Sequence, residues 1–244
     1  MKILALDSSG IVASVAVVED ETLIAESIIN YKKTHSQTLL PMLQTVKEMI
    51  DLDLESIDAI AITAGPGSFT GLRIGSATAK GLGLALNKPI IEVPTLAGLA
   101  YNLYGTNQLI CPIMDARRNQ VYAGIYAFDR IQETEQYGCY RLRVIKEQCA
   151  VDISWIEEKL NDLGKEVIFL GDGVPVFMQT IQETLKVPFG LAPAHCNRQR
   201  ASAVAALAEI YFKEGKYVNA RDHQPEYLRL SQAERERMER ENEK

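Results

Sequence analysis

The segment Gly65-Pro66-Gly67-Ser68-Phe69-Thr70-Gly71-Leu72-Arg73-Ile74-Gly75 holds the residue types best suited to anion chemistry in this 244-residue chain. It follows a β-branched apolar run and opens a helical pattern, so its backbone N–H groups and the helix dipole would face negative charge. Two familiar phosphate motifs do not fit. A P-loop requires Gly-Lys-Ser/Thr ahead of its helix, and no lysine stands there. The dinucleotide fingerprint G-x-G-x-x-G fails because the third glycine comes one residue late. The other reading is a tight turn with an N-cap from Ser68 or Thr70, and the residues alone favour it.

Asp7 and Asp115 have the chemistry of general bases or water positioners. Each also stands at the mouth of an expected hairpin, where a carboxylate satisfies turn N–H groups, and that role is the better fit. Arg117 and Arg118 form a basic spot beside Asp115. They read equally as a solvated turn or as a binder of phosphate or a partner. His35, His195 and His223 are isolated, with no pair at the three- or four-residue spacing that presents two imidazoles from one helix face. No nucleophile elbow accompanies a Ser-His-Asp set. The four cysteines contain no C-x-x-C pair and read as reduced thiols.

The elements that hold these residues come in a repeating order. Runs 3–7 and 12–18 read as a hairpin, with a third run over Thr22–Asn30. A helix carries Leu39, Leu40, Leu43, Val46, Met49 and Ile50 at three- and four-residue spacing. Pro41 fits if that helix begins near Ser36 or Thr38, since a first turn has no intrahelical N–H bonds to lose. Strand Ile57–Thr63, the glycine loop, a helix over about Gly71–Leu86, a strand at Ile90–Val93 and a helix over Thr95–Leu103 follow. The order restarts 108 residues later, so that Asp115 matches Asp7. Hairpin strands Ile110–Asp115 and Val121–Phe128 lead to a helix over Ile153–Leu163, a strand at Glu166–Leu170, the loop Gly171-Asp172-Gly173, a helix after Pro175 and a helix over Ser202–Lys213. Such repetition implies a duplicated α/β fold of two lobes with a cleft between the hairpin mouths. The expected division is 1–105 for the first lobe, with a helix near 200–216 packing back on it, 106–199 for the second, and 217–244 as an extension ending in a mixed-charge run.

Gly71, Gly75, Ala79 and Gly83 recur every four residues and form a small-residue stripe. Each interior glycine costs about 1 kcal/mol of helix stability, so close backbone approach should offset it. The neighbour is either the chain's own sheet or another subunit. A net charge of −6 is poor equipment for holding a polyphosphate chain unaided. No apolar run nears the ~20 residues of a membrane span, and Asp7 breaks the N-terminal apolar run too early for a secretory signal. The expected location is cytoplasmic.

The motifs ILALDSSG…ASVAV, His35-Ser36 before Leu39-Leu40-Pro41, AGPGSFTGLRIG…AKGL, DARRNQVYAG, GDG and Pro225-Glu226-Tyr227-Leu228-Arg229 occur in one order along nearly the whole chain. Together they resemble the TsaB (YeaZ) family, with Ser8 where many members carry Thr. The resemblance implies an actin/Hsp70/sugar-kinase-like (RNase H-like) fold. It also implies a paralogue of TsaD, the subunit that transfers threonylcarbamoyl to the tRNA adenosine 3′ of the anticodon. TsaD carries a metal-binding His pair at helical spacing; here His35 has Leu39 one turn on. The implied role is a non-catalytic partner that heterodimerises with TsaD, is joined by TsaE, can form homodimers, and reaches tRNA through the complex. No catalytic residue, metal or cofactor is expected. The expected partner surface comprises His35, Leu39, Leu43, Val46, Gly71, Arg73, Gly75, Ala79 and Gly83. A different class, an ATP-dependent kinase or ATPase using the cleft, is the alternative; a metallopeptidase conflicts with the missing His pair.

Overall fold

A computed structural model describes residues 1–31, 33–132 and 138–229. The first half of the chain forms β1 (Lys2–Asp7), β2 (Ala13–Glu19), β3 (Thr22–Ile29), α1 (His35–Met49), β4 (Ala59–Gly65), α2 (Phe69–Leu86), β5 (Ile90–Pro94) and α3 (Thr95–Tyr101). The second half repeats this order as β6 (Leu109–Asp115), β7 (Gln120–Gln132), β8 (Gly138–Asp152), α4 (Ile153–Leu163), β9 (Val167–Leu170), α5 (Val174–Thr184), β10 (Phe189–Leu191) and α6 (Ala201–Lys213).

The two sheets have the same topology, β3-β2-β1-β4-β5 and β8-β7-β6-β9-β10. In each, the first three strands are antiparallel and the last two join in parallel. This is the duplicated α/β architecture expected from the repeat.

Side-chain alternation along the strands builds the layers. Leu4 and Leu6 of β1 face α1 and α2, with Leu39, Leu43 and Val46 in the same core. Ile3 and Ala5 face the other way, toward α3 and α6. In the second sheet Cys111 and Ile113 face α4 and α5, whereas Ile110 and Met114 join the α3–α6 layer. The result is a stack of helices, sheet, helices, sheet, helices. The central apolar layer, with Ala201, Val204, Ala205 and Ala208 of α6, belongs to both sheets.

Three details differ from the sequence-based expectation. Helix α1 starts at His35, so Pro41 lies in its second turn and leaves the exposed Gln37 carbonyl to solvent. Strand β8 carries no expected element, because its basic residues Arg141 and Arg143 belong to a sheet edge where their side chains face solvent. Strand β10 has three residues and exists by parallel pairing with β9. The charged run from Ser231 to Lys244 lies outside the described residues.

Candidate functional site

The turn after β1 is built around the Asp7 carboxylate. Asp7 is buried, and its Oδ1 accepts hydrogen bonds from the Ser9 N–H at 2.8 Å and the Ser9 hydroxyl at 2.7 Å. Asp115 does the same in the second half: its Oδ1 accepts from the Arg117 N–H at 2.8 Å. The two acids are matched turn-formers of one duplicated motif. Burial raises the Asp7 carboxyl above its ordinary value of 3.8, and the Ser9 hydrogen bonds oppose that rise.

A carboxyl that binds its proton more tightly when folded contributes stability below the ordinary value, and that contribution is lost as pH rises through the raised one. Asp7→Asn keeps the Oδ1 acceptor and removes the titration. The variant is therefore expected to fold, to be at least as stable as the parent at neutral pH, and to lose the alkaline-going decline that Asp7 contributes. Urea denaturation of both proteins at acidic and neutral pH checks this; large destabilisation by Asn at neutral pH contradicts it.

The glycine loop closes against the Asp7 turn. The Ser68 N–H donates to Ser9 O at 2.7 Å, and the Ser8 hydroxyl donates to Gly71 O at 2.9 Å. Ser68 is the N-cap, its Oγ accepting from the Gly71 N–H at 3.3 Å. Two of the donors an anion would use, the Ser68 and Gly71 N–H groups, are thus engaged within the chain, which favours the turn-and-cap reading of the loop over a phosphate cradle.

The small-residue stripe on α2 is buried for the same reason. A Cβ on Gly71 would sit 2.1 Å from Ser8 O, and one on Gly75 2.3 Å from Ser8 Oγ. A Cβ on Gly83 would meet that of Ala220 at 2.8 Å. Ala79 is fully buried, as are Leu39, Leu43 and Val46 to within 5%. The expectation that these seven residues face a partner is therefore revised: the chain itself fills the space beside them. His35 is half-buried, its Nε2 within hydrogen-bond distance of Gly10 O at 2.8 Å, so it fastens α1 to the first hairpin. Arg73 alone of the expected surface is exposed, its guanidinium 5.6 Å from the Phe69 ring centre.

A second stripe, missed in the sequence, runs along the opposite side of α2. Arg73, Ala77, Gly81 and Ala85 share the four-residue spacing but lie two positions, about 200°, from the buried set, and all four are exposed. A Cβ on Gly81 would meet nothing within 4 Å. Leu84 of α2 and Leu40 and Met49 of the adjacent α1 are also exposed, Met49 at 78%. The signal was present, since Gly81 breaks the stripe pattern as a helix-interior glycine outside it.

Between the halves lies a cleft of about 840 Å³. The first half contributes Ser9 and Gly67, and the second contributes Asp115, Arg117, Arg118, Asp172 and Arg198. Asp7 is not part of its wall. Arg117, Arg118 and Asn119 have φ of 63°, 56° and 59°, a left-handed run that turns β6 into β7 and holds both arginines outward. Arg117 pairs with Asp115 at 3.1 Å with its own side chain 85% exposed, an arrangement of little energetic value. Burial raises the Asp172 carboxyl above its usual range. The three histidines stay apart: His195 is exposed, and buried His223 contacts Glu92 through Nδ1 at 2.6 Å. Among the described residues no three His, Cys, Asp or Glu side chains gather as a metal ion requires. No helix among them is long and apolar enough to cross a membrane.

Comparison with known proteins places this geometry. The model of the TsaD family, described as tRNA N6-adenosine threonylcarbamoyltransferase, matches residues 22–237. The tRNA threonylcarbamoyladenosine biosynthesis protein TsaB of Bacillus subtilis is 34% identical over 96% of both chains. The Escherichia coli protein of the same name is 31% identical over 94% of this chain and 95% of its own. Among solved structures, YeaZ from Pseudomonas aeruginosa superposes with a TM-score of 0.73 at 26% identity, over 93% of this chain and 99% of that one. A second Pseudomonas aeruginosa structure, described as similar to peptidase YEAZ, reaches a TM-score of 0.77 at 27% identity with the same coverage.

Proposed function

The chain belongs to the TsaB family of tRNA threonylcarbamoyladenosine biosynthesis proteins, and we propose from that membership that it acts as a non-catalytic partner of TsaD. The observation that carries this reading is the outward side of α2. An exposed interior glycine, Gly81, flanked by Ala77 and Ala85, weakens the helix by about 1 kcal/mol with no intramolecular contact to offset it. Small residues at that spacing let another helix approach closely. Leu40, Met49 and Leu84 supply exposed apolar area on the same two helices.

The occupant that suits this surface is a protein of the same fold. A TsaD-family model spans most of this chain, which supports a heterodimer in which a TsaD subunit would present its matching first helices with pseudo-two-fold symmetry. A homodimer would use the same faces, and TsaE would join the complex elsewhere. The acidic chain leaves most of the tRNA to its partners. Asp7, which would be the first-lobe acid of a kinase-like reaction, is engaged in holding its turn.

Reconstitution tests this role. Purified chain with tRNA, ATP and the threonylcarbamoyl donor system is expected to form no modified adenosine and to turn over no ATP. Addition of the chain to TsaD and TsaE is expected to raise product formation by about tenfold or more, equivalent to ~1.4 kcal/mol of barrier. Modification or ATP turnover by the isolated chain, or full TsaD activity without it, overturns the assignment.

A further inference from the structure

The C-terminal segment crosses from one half of the molecule to the other. It first runs beside β5, where Val218 and Ile90 exchange backbone hydrogen bonds at 2.9 Å. Ala220 then packs where Gly83 leaves room, and His223 Nδ1 lies 2.6 Å from Glu92 Oε1 while Lys80 Nζ donates to His223 O at 3.3 Å. The Glu226 N–H donates to Ala64 O at 2.6 Å, extending β4. Gly65 has φ of +131°, and a Cβ there would lie 2.2 Å from Glu226 O, so only glycine admits the segment at this point. The Tyr227 ring packs against that of Phe69, the first residue of α2, with centroids 4.7 Å apart and planes tilted by 35°. The chain then reaches the second half, where Arg229 Nη1 donates to the carbonyls of Ala116 at 2.5 Å and Arg117 at 3.3 Å.

One side chain of the second sheet completes the knot. Gln148, on β8, donates through Nε2 to Gly65 O and to Glu226 Oε2, both at 3.0 Å. The glycine loop, the C-terminal segment and β8 are thereby joined at one amide. Glu226, Tyr227, Leu228 and Arg229 also form one wall of the cleft.

We infer that residues 223–229 are a strap that fixes the two lobes in one relative orientation, in place of a ligand bound between them. The contacts span the cleft from Ala64 to Arg117, which is the span an interlobe ligand would have to bridge. They combine one backbone hydrogen bond, side-chain bonds from Gln148 and Arg229 and one tilted ring pair, all supplied by the chain itself, so they need nothing added. The strap also touches α2 at two points, through Lys80 in its C-terminal half and Phe69 at its N-terminus, and Ala220 just ahead of the strap meets Gly83. It therefore transmits the position of the second hairpin to the helix that bears Ala77, Gly81 and Ala85. This role does not depend on what protein that helix meets.

Distance measurement across the cleft tests the strap. Ile11 and Val176, 58% and 59% exposed, line the cleft from opposite lobes. Spin labels are placed at Ile11→Cys and Val176→Cys in the full chain with Cys139→Ser and Cys149→Ser; Cys111 and Cys196 are buried. The intact strap predicts one narrow distance distribution, unchanged by magnesium-ATP. Tyr227→Ala with Arg229→Ala, folded by circular dichroism, is predicted to widen that distribution about twofold or more. An unaltered distribution in the strap variant overturns the inference, as does a nucleotide-dependent shift in the intact chain. Hydrogen exchange of the unlabelled protein supplies a mutation-free arm: the Glu226 amide should be protected like the amides of β4, and unprotected exchange there equally overturns it.

Discussion

Gly75→Leu is expected to destabilise the monomer by about 3 kcal/mol or more, lowering the melting temperature by about 6–12 °C. The reason is distance. A Cβ at this position lies 2.3 Å from Ser8 Oγ and 3.1 Å from Ile62 Cδ1 before the rest of the leucine is placed. Ser8 has nowhere to retreat, because its hydroxyl is bonded to Gly71 O and its own carbonyl sits 2.1 Å from the Cβ position of Gly71. To fit leucine, α2 must lift from β1, opening the core that holds Leu4, Leu6 and Ala79. Differential scanning calorimetry reads the effect, and an unchanged transition temperature contradicts the packing described. Any loss of partner binding in this variant follows from loss of fold, so it carries no information about the interface.

Gly81→Arg is expected to do the reverse, sparing the monomer and breaking the complex. Nothing lies within 4 Å of its Cβ position, and arginine is a far better helix former than glycine. The monomer should gain up to about 1 kcal/mol, or roughly 2–4 °C in melting temperature. A long cation in the centre of the proposed helix contact should weaken binding to TsaD about 100-fold, which is ~2.7 kcal/mol. Gly81→Ala adds one methyl and should keep most of the affinity. Calorimetric titration of each variant with TsaD separates the outcomes: parent-like affinity of the arginine variant removes α2 from the interface. A monomer destabilised by arginine contradicts the open surface itself.

The two glycines show where sequence reasoning stops. Both lie in one helix, in four-residue series, and each breaks helix propensity by the same amount. Spacing identified the series and the need for a close neighbour. It did not say which side of the helix faces the sheet, because α2 is small or apolar around most of its circumference: Leu72, Ile74 and Leu82 flank one stripe, while Ala77 and Ala85 belong to the other and Leu84 lies beside it. That side is chosen by the Ser8 turn, 63 residues before Gly71, and by Ala220, which meets Gly83; both become neighbours of α2 only on folding. Helix α1 behaves the same way. Its three- and four-residue apolar spacing marks a helix, but Leu39 and Leu43 turn to the core and Leu40 and Met49 to solvent, a division that the sheet beneath them makes.

The sequence by itself determined the duplicated order of strands and helices, the equivalence of Asp7 and Asp115, the turn-and-cap chemistry of the glycine loop and the family. These rest on local periodicity, on residue types required by particular turns, and on motifs that keep their order along the chain. Tertiary structure alone decided that the first glycine stripe is internal, that β8 and β10 complete the second sheet, and that Glu226 and Gln148 meet at Gly65. Each of these depends on which distant segments fill the same space, and steric contact between residues tens of positions apart leaves no periodic trace in either one.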